Sequence, residues 1–346
     1  MGIKADEVLM SRRWGDITGG RPTLTHGVHP HESEFDNAFG LNPHNSYGIE
    51  VEIENVFPSM PDEVFSQYNT ELSRLYDDGW WRIDEDGSLR NNGREFISYP
   101  LPGNQVSHAF NRLFSVVHKK VDFNLRAGIH VHVNCRNMSV GEINKAVLLS
   151  IVFESMMFKM TDPSRHNNIF CVPVSASDGA YDMLMWFANK GPAIQKYSAL
   201  NVLPLLDRSF GTVEFRHLES TNDMKKLEKW FKTIDCIWTY AKNEVKFEEL
   251  LIRVSALTTS SMFFALGEDI FGMFWSQLRE LVTHGEMNRN VAKIKQLLFT
   301  EDNAFCGDDM HEWLANNSKF MAESVPSSVA NLRRTALDTA VESPED

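Results

Sequence analysis

The chain has 346 residues, 42% hydrophobic and 23% charged, the composition of a soluble globular fold with a sizeable core. Its net charge of −13, with no basic run to offset it, disfavours a nucleic-acid partner, whose phosphates call for a basic surface. Four widely spaced cysteines (Cys135, Cys171, Cys236, Cys306) without a CxxC pair argue against a zinc ribbon or disulfide framework and suit a reducing cytoplasm, while no signal-peptide core or membrane-length apolar run is found.

Residues 1–46 carry little periodicity and many Gly, Pro and His residues, and are read as an irregular arm. His26, His29, His31 and His44 cluster there, but imidazoles in a loop without cysteine or regular spacing are expected to be polar loop residues before metal ligands. Residues 47–54, YGIEVEIE, alternate Ile49, Val51 and Ile53 with Glu50, Glu52 and Glu54, the period of a β-strand with one apolar face. Carboxylates at every second place lie roughly 6–7 Å apart and repel unless a cation sits above them.

Residues 62–78 show the apolar stripe of an amphipathic helix, through Val64, Phe65, Tyr68, Leu72, Leu75 and Tyr76. In WWRIDEDGSLRNNGREFISYPL, Asp86-Gly87 signals a turn and Glu95 stands in a second strand with Ile97 and Tyr99. A helix is predicted over residues 104–120. GIHVHVN, residues 128–134, repeats the strand pattern with Ile129, Val131 and Val133 on one face and His130, His132 and Asn134 on the other. Ser139 and Glu142 form a capping box, followed by a largely apolar helix over 143–160. The loop at 161–173 holds Arg165, His166, Asn167 and Asn168, and a short helix is expected near 181–189.

A fourth strand is predicted around Val213–Leu218, with Glu214 and Arg216 sharing its polar face, and an amphipathic helix over 222–245. Beyond residue 246 the chain reads as helical, with helices at 263–282 and 291–299 and a frayed end from about 324. The expected organisation is an arm (1–46), a catalytic domain (47–245), a helical C-terminal extension (246–323) and a flexible tail (324–346). Neither GxGxxG nor GxxxxGK[ST] occurs, which excludes Rossmann and Walker readings, and no GxSxG elbow supports acyl-enzyme chemistry.

A merely solvated strand face mixes Lys, Thr, Ser and Gln. Here the polar set is Glu50, Glu52, Glu54, Glu95, His130, His132, Asn134, Glu214 and Arg216, with no lysine. Carboxylates with an imidazole suit Mg2+ or Mn2+ carrying substrate phosphates, and arginine suits phosphate recognition. Many acids with His and Arg but no nucleophile favour phosphoryl transfer.

The blocks GIEVEIE, DGSLRNNGREFISYPL, GIHVHVN and YSALN…GTVEFR, in that order over residues 47–220, resemble the amidoligase family of glutamine synthetase-like carboxylate–amine ligases. The resemblance implies an α+β fold: a mostly antiparallel sheet of the glutamine synthetase/guanido kinase type, with helices packed on one face. It implies ATP and Mg2+ (or Mn2+) as cofactors, with Glu50, Glu52, Glu95, His130 and Glu214 as metal ligands. His130, His132, Arg165, Arg208 and Arg216 are implied on the nucleotide or phosphate side. Arg216 is implied to stabilise the transferred phosphoryl group, and Asp84 and Asp86 to hold the incoming amine. The implied reaction joins a small-molecule or peptide carboxylate to an amine through an acyl phosphate. The sequence leaves open a guanido-kinase-like phosphotransferase, a divalent-metal hydrolase, and a structural or interaction protein that keeps the sheet. Glu54 has no family role, and the arm and the last hundred residues fall outside the resemblance.

Overall fold

A computed structural model of the chain describes residues 37–117, 121–123, 126–174, 197–206, 210–257 and 259–298. His26, His29, His31, Arg208, Cys306, the helix expected at 181–189 and the C-terminal tail lie outside the described residues.

Seven strands form one sheet: β1 (Ser46–Ile53), β2 (Trp81–Asp84), β3 (Arg94–Ser98), β4 (Leu101–Pro102), β5 (Gly128–Asn134), β6 (Leu200–Asn201) and β7 (Thr212–Glu219). The order is β2-β3-β1-β5-β7-β6, with β4 beside the start of β1, and all these pairs are antiparallel. The fold is therefore α+β around an open antiparallel sheet. The period-2 pattern sorts its faces: Ile49, Val51, Ile53, Ile129, Val131, Val133, Val213 and Phe215 are completely buried on one side.

Against that side lie α1 (Asp62–Asp77), α2 (Val106–Val116), α3 (Val140–Val152), α4 (Glu154–Lys159) and the long α5 (Met224–Ala241). On α5, Trp230, Phe231 and Trp238 meet the sheet edge-on: Phe231 stands 5.7 Å from the Tyr47 ring and Trp238 5.4 Å from Phe215. Helices α6 (Phe247–Ser255), α7 (Ser260–Phe271) and α8 (His284–Leu298) add Leu250, Phe263 and Met287 to the same continuous core, and the turn between α7 and α8 adds Trp275. Residues 37–45 are pinned onto α5, where Asp235 accepts hydrogen bonds from the Asn42 amide (3.0 Å), the Asn45 side chain (2.6 Å) and the Tyr47 hydroxyl (2.6 Å). His44, the one described histidine of the arm's cluster, is exposed. Among the described residues no helix is long and apolar enough to cross a membrane.

Several elements differ from expectation for identifiable reasons. The helix expected over 104–120 is a 3₁₀ turn followed by α2, which stops as Val117 turns extended (ψ 131°), a conformation β-branched residues favour. The long helix at 143–160 breaks at Phe153, whose ring is buried edge-on against Phe271 and Trp275 at 5.2 and 6.1 Å. Asn290 of α8 donates to the carbonyls of Ile151 and Val152 beside that break, so tertiary packing overrides local propensity. The helix expected at 263–282 begins earlier, at an N-cap from Thr259, and breaks at Gly272, where φ is +53°. The short strands β2, β4 and β6 were not predicted, because two to four residues are too few to show a period. The capping box at Ser139 and Glu142 forms as the sequence indicates.

Candidate active site

The face of the sheet away from the helices carries the polar alternates, and register brings them into rungs. Asp84, Glu95 and Glu52 are cross-strand partners from β2 through β3 to β1. Glu50 faces His130, and His132, Glu214 and Asn201 line up from β5 through β7 to β6. Above these rungs is a cavity of about 620 Å3, lined by Glu50, Glu52, Asp86, Glu95, His130, His132, Arg165, Glu214 and Arg216 among others.

His130 lies at its centre. Its Nδ1 is 3.1 Å from Glu50 Oε2 and 3.6 Å from Glu214 Oε1, and its Nε2 is 3.7 Å from Glu52 Oε1. Glu52 also accepts a 2.6 Å hydrogen bond from the Gly128 amide. The position is tight, since a Cβ would stand 3.0 Å from His130 Nε2 and 3.3 Å from the Arg165 guanidinium. His132 Nδ1 is 2.9 Å from the Thr212 hydroxyl, and its ring stacks on exposed Phe210 with centroids 5.8 Å apart. Its Nε2 is buried and faces Glu50 Oε1 at 3.3 Å without the geometry of a hydrogen bond.

Arg216 is held from three sides. It ion-pairs with Glu214, its Nε donates to the Phe170 carbonyl at 3.4 Å, and its guanidinium lies 5.9 Å over the Tyr197 ring. Asn201 donates to the other Glu214 oxygen at 2.7 Å.

The carboxyls divide electrostatically. Burial would raise Glu50, yet the His130 and His132 imidazoles beside it hold it well below the usual range. Glu214 is likewise lowered, burial being outweighed by His132, Arg216 and His130. Glu95 goes the other way: burial, then repulsion from Glu50, Glu52, Asp86 and Asp84, pushes it up to about 8. Among the described residues, three overlapping groups bring ligand atoms within 4.8 Å of one another: Glu50, Glu95 and His130; Glu50, His132 and Glu214; and Glu52, Asp86 and Glu95. Hard oxygen donors with imidazole nitrogen, a buried His132 Nε2 that faces Glu50 without hydrogen-bond geometry, and a Glu95 raised by burial and its acidic neighbours are what a divalent cation fits.

Of the residues selected from sequence, Glu50, Glu52, Glu95, His130, His132, Glu214 and Arg216 meet on this face, and Asp86 reaches it from the β2–β3 loop. Asp84 is outside the cavity lining, pairing with Arg82 at 2.6 Å. Arg165 is in the wall, 1% exposed, and donates to the backbone carbonyls of Arg216 and His217. Glu54 turns away: it accepts from the Arg90 amide (3.0 Å) and the Asn91 side chain (3.4 Å), tying down the β2–β3 loop. Asn201, Tyr197, Phe170 and Phe210 escaped sequence reasoning; the first two lie in the YSALN block, where the signal was present without an assigned role.

No protein-family model matches the chain, and no curated protein matches it. Among solved structures it is similar to one described as a novel glutamine synthase homolog, with a TM-score of 0.35 and 10% identity over 73% of this chain and 70% of that one. A likeness of that degree carries no argument about function.

A second chamber of about 280 Å3 adjoins the first across Glu50, His132 and Phe210, with Tyr47, Ile97, Tyr99, Asn134 and Arg136 in its wall. Behind β7, on the core side, His217 packs 4.8 Å from Phe158 and 5.5 Å from Trp230 with neither ring nitrogen hydrogen-bonded. Burial and the nearby Arg165 charge push it down to about 3, so it is neutral.

Proposed function

We propose that this protein is an ATP-dependent carboxylate–amine ligase with a sheet of the glutamine synthetase/guanido kinase type, forming an amide through an acyl phosphate. The observation that carries this reading is the division of the cavity floor. One end gathers carboxylates around Glu95, whose carboxyl is raised by burial and its acidic neighbours while the lining Arg126 donates to the Ser88 carbonyl; the other has a guanidinium, Arg216, fixed among Glu214, Tyr197 and Phe170. The sequence resemblance over residues 47–220 supports the same reading.

Glu50, Glu52, Glu95, His130 and Glu214 would hold Mg2+ or Mn2+. Bound there with ATP, the cation would neutralise phosphate charge and polarise the γ-phosphoryl group. Arg216, at the cavity wall, would stabilise charge that develops on that group during transfer to the substrate carboxylate. The smaller chamber beside His132 and Phe210 suits the nucleoside, because its walls are more apolar and carry fewer acids. Asp86 would attract the amine, which would displace phosphate from the acyl phosphate to give the amide.

The test is an ADP-release screen over pools of amino acids and peptides, with mass spectrometry of any product. Amide, ADP and free phosphate are expected. A stable phosphorylated product would instead mark a phosphotransferase. A ligand at a hundredfold above its dissociation constant stabilises a fold by about 2.7 kcal/mol. Absence of both ADP release and thermal stabilisation by ATP with magnesium would leave a non-enzymatic scaffold.

A further inference from the structure

Strand β7 is not regular. Its register against β5 slips between Ile129, which faces Leu218, and Val131, which faces Phe215, so β7 carries one extra residue at Arg216–His217. The slip decides which side chains reach the cavity. Glu214 and Arg216 stay on the polar face, His217 and Leu218 both go to the core, and Glu219 returns to the polar side.

A bulge interrupts the ladder and leaves backbone groups in need of partners. Here a single side chain takes the two carbonyls: Arg165 Nη2 donates to the Arg216 carbonyl at 2.6 Å and Nε to the His217 carbonyl at 3.1 Å. Among the described residues no carboxylate lies within ion-pair distance of Arg165, although it is 1% exposed. A guanidinium buried without an acid is costly, so its fork is bound up with these carbonyls. The segment that presents it braces the same strand a second time. Asp162 caps the 3₁₀ turn Pro163–Asn167 through the Ser164 amide, and its own amide donates to Glu219 at 2.8 Å, beyond the bulge. Gly128 gives Arg165 its room, since a Cβ there would stand 3.3 Å from Nη2.

We propose that Arg165 is a positioning residue, clamping the β7 bulge through two backbone carbonyls so that Arg216 is presented to the cavity, and that it makes no contact with phosphate or carboxylate substrate. This rests on the ligase reading for its kinetic consequence but not for its structural one. The Nε and Nη2 donors of a guanidinium are separate atoms held in one plane, a spacing that the single nitrogen of a lysine ammonium does not reproduce, so Arg165→Lys loosens the bulge while keeping a buried cation, and it serves where Arg165→Met fails to fold.

In ADP-release assays, Arg165→Lys is expected to lower kcat at least tenfold while the KM for magnesium–ATP stays within threefold and the ATP-induced thermal shift is retained. A tenfold or greater rise in KM, with equal loss of ATP affinity, would make Arg165 a nucleotide contact and overturn the proposal. So would unchanged kcat. Hydrogen exchange read by mass spectrometry decides the clamp even if the wild-type protein releases no ADP, in which case the ligase reading fails separately. Amides of residues 216–219 should exchange at least tenfold faster in the variant, with β1 and β3 unchanged. Unchanged exchange at the bulge would refute the clamp.

Discussion

The two ends of the polar face are built from the same residue types and reach opposite electrostatic states. At the β5–β7 end, Glu214 lies among Arg216, His132 and Asn201, and its carboxyl is lowered. At the β2–β3 end, Glu95 faces Glu52 and Asp84 across the rung with Asp86 nearby, and its carboxyl rises to about 8. Arg82 and Arg94 are close in sequence, yet they pair outward with Asp84 and Glu85. At one end a guanidinium lies against the buried carboxyl; at the other the lining Arg126 donates to the Ser88 carbonyl, and burial and the acids raise Glu95. Acids stand on β1, β2, β3 and β7, so it is the placement of the cations and imidazoles that distinguishes the two ends.

The largest effect expected from breaking this comparison is on turnover. Arg216→Ala removes the guanidinium on which Glu214, Glu52 and Glu50 act, and should lower ATP-dependent ADP release by about 10²–10³, the usual loss for one strong electrostatic contact. Glu52→Gln, at the other end, should do the same while circular dichroism remains that of the wild type. Normal turnover in a folded double variant would refute the assignment.

Stability of the metal-free protein sharpens the comparison next. Glu95 keeps its proton in the folded state to about 8, against an ordinary value of 4.5, so the folded state holds a proton the unfolded chain has lost. Stability from this group therefore falls as pH rises from 4.5 and is at its lowest above 8. Glu95→Gln should raise metal-free stability at pH 8.5 by on the order of a few kcal/mol and leave it unchanged near pH 4. Adding magnesium should stabilise the wild type more than the variant. Chemical denaturation with and without metal measures both, and a destabilised metal-free variant at pH 8.5 would contradict this account of Glu95.

His217, behind the β5–β7 end, gives a smaller effect of opposite sign. Its folded value of about 3 lies below the ordinary 6.5, so its contribution is present above 6.5 and is lost as pH falls towards 3. His217→Leu should flatten the acid limb of the stability profile, narrowing the loss between pH 7 and pH 5 by about 2 kcal/mol. An unchanged acid limb would show that His217 has found a partner. The smallest effect concerns the third glutamate of the strand: Glu54→Gln should cost about 1 kcal/mol through its loop hydrogen bonds. It should leave the magnesium response intact, whereas Glu52→Gln should not.

The sequence by itself determined which residues share a face. Alternation at period 2 separates Ile49, Val51 and Ile53 from Glu50 and Glu52, and the same rule separates Val131 from His130 and His132, because side chains on a strand must point to opposite sides. The seven side chains from Glu50 to Arg216 that meet in the cavity were legible for that reason. Periodicity carries no register, so only the tertiary structure decided that Glu95 faces Glu52, that Glu54 ends in a loop contact, and that Asp84 is outside the cavity lining. The bulge was equally hidden, since an added residue in a strand looks like ordinary strand until its partner is known. Charge balance was the last thing the fold decided: a row of glutamates has one meaning beside Arg216 and another beside Asp84 and Asp86, and that neighbourhood is a property of packing across the sheet.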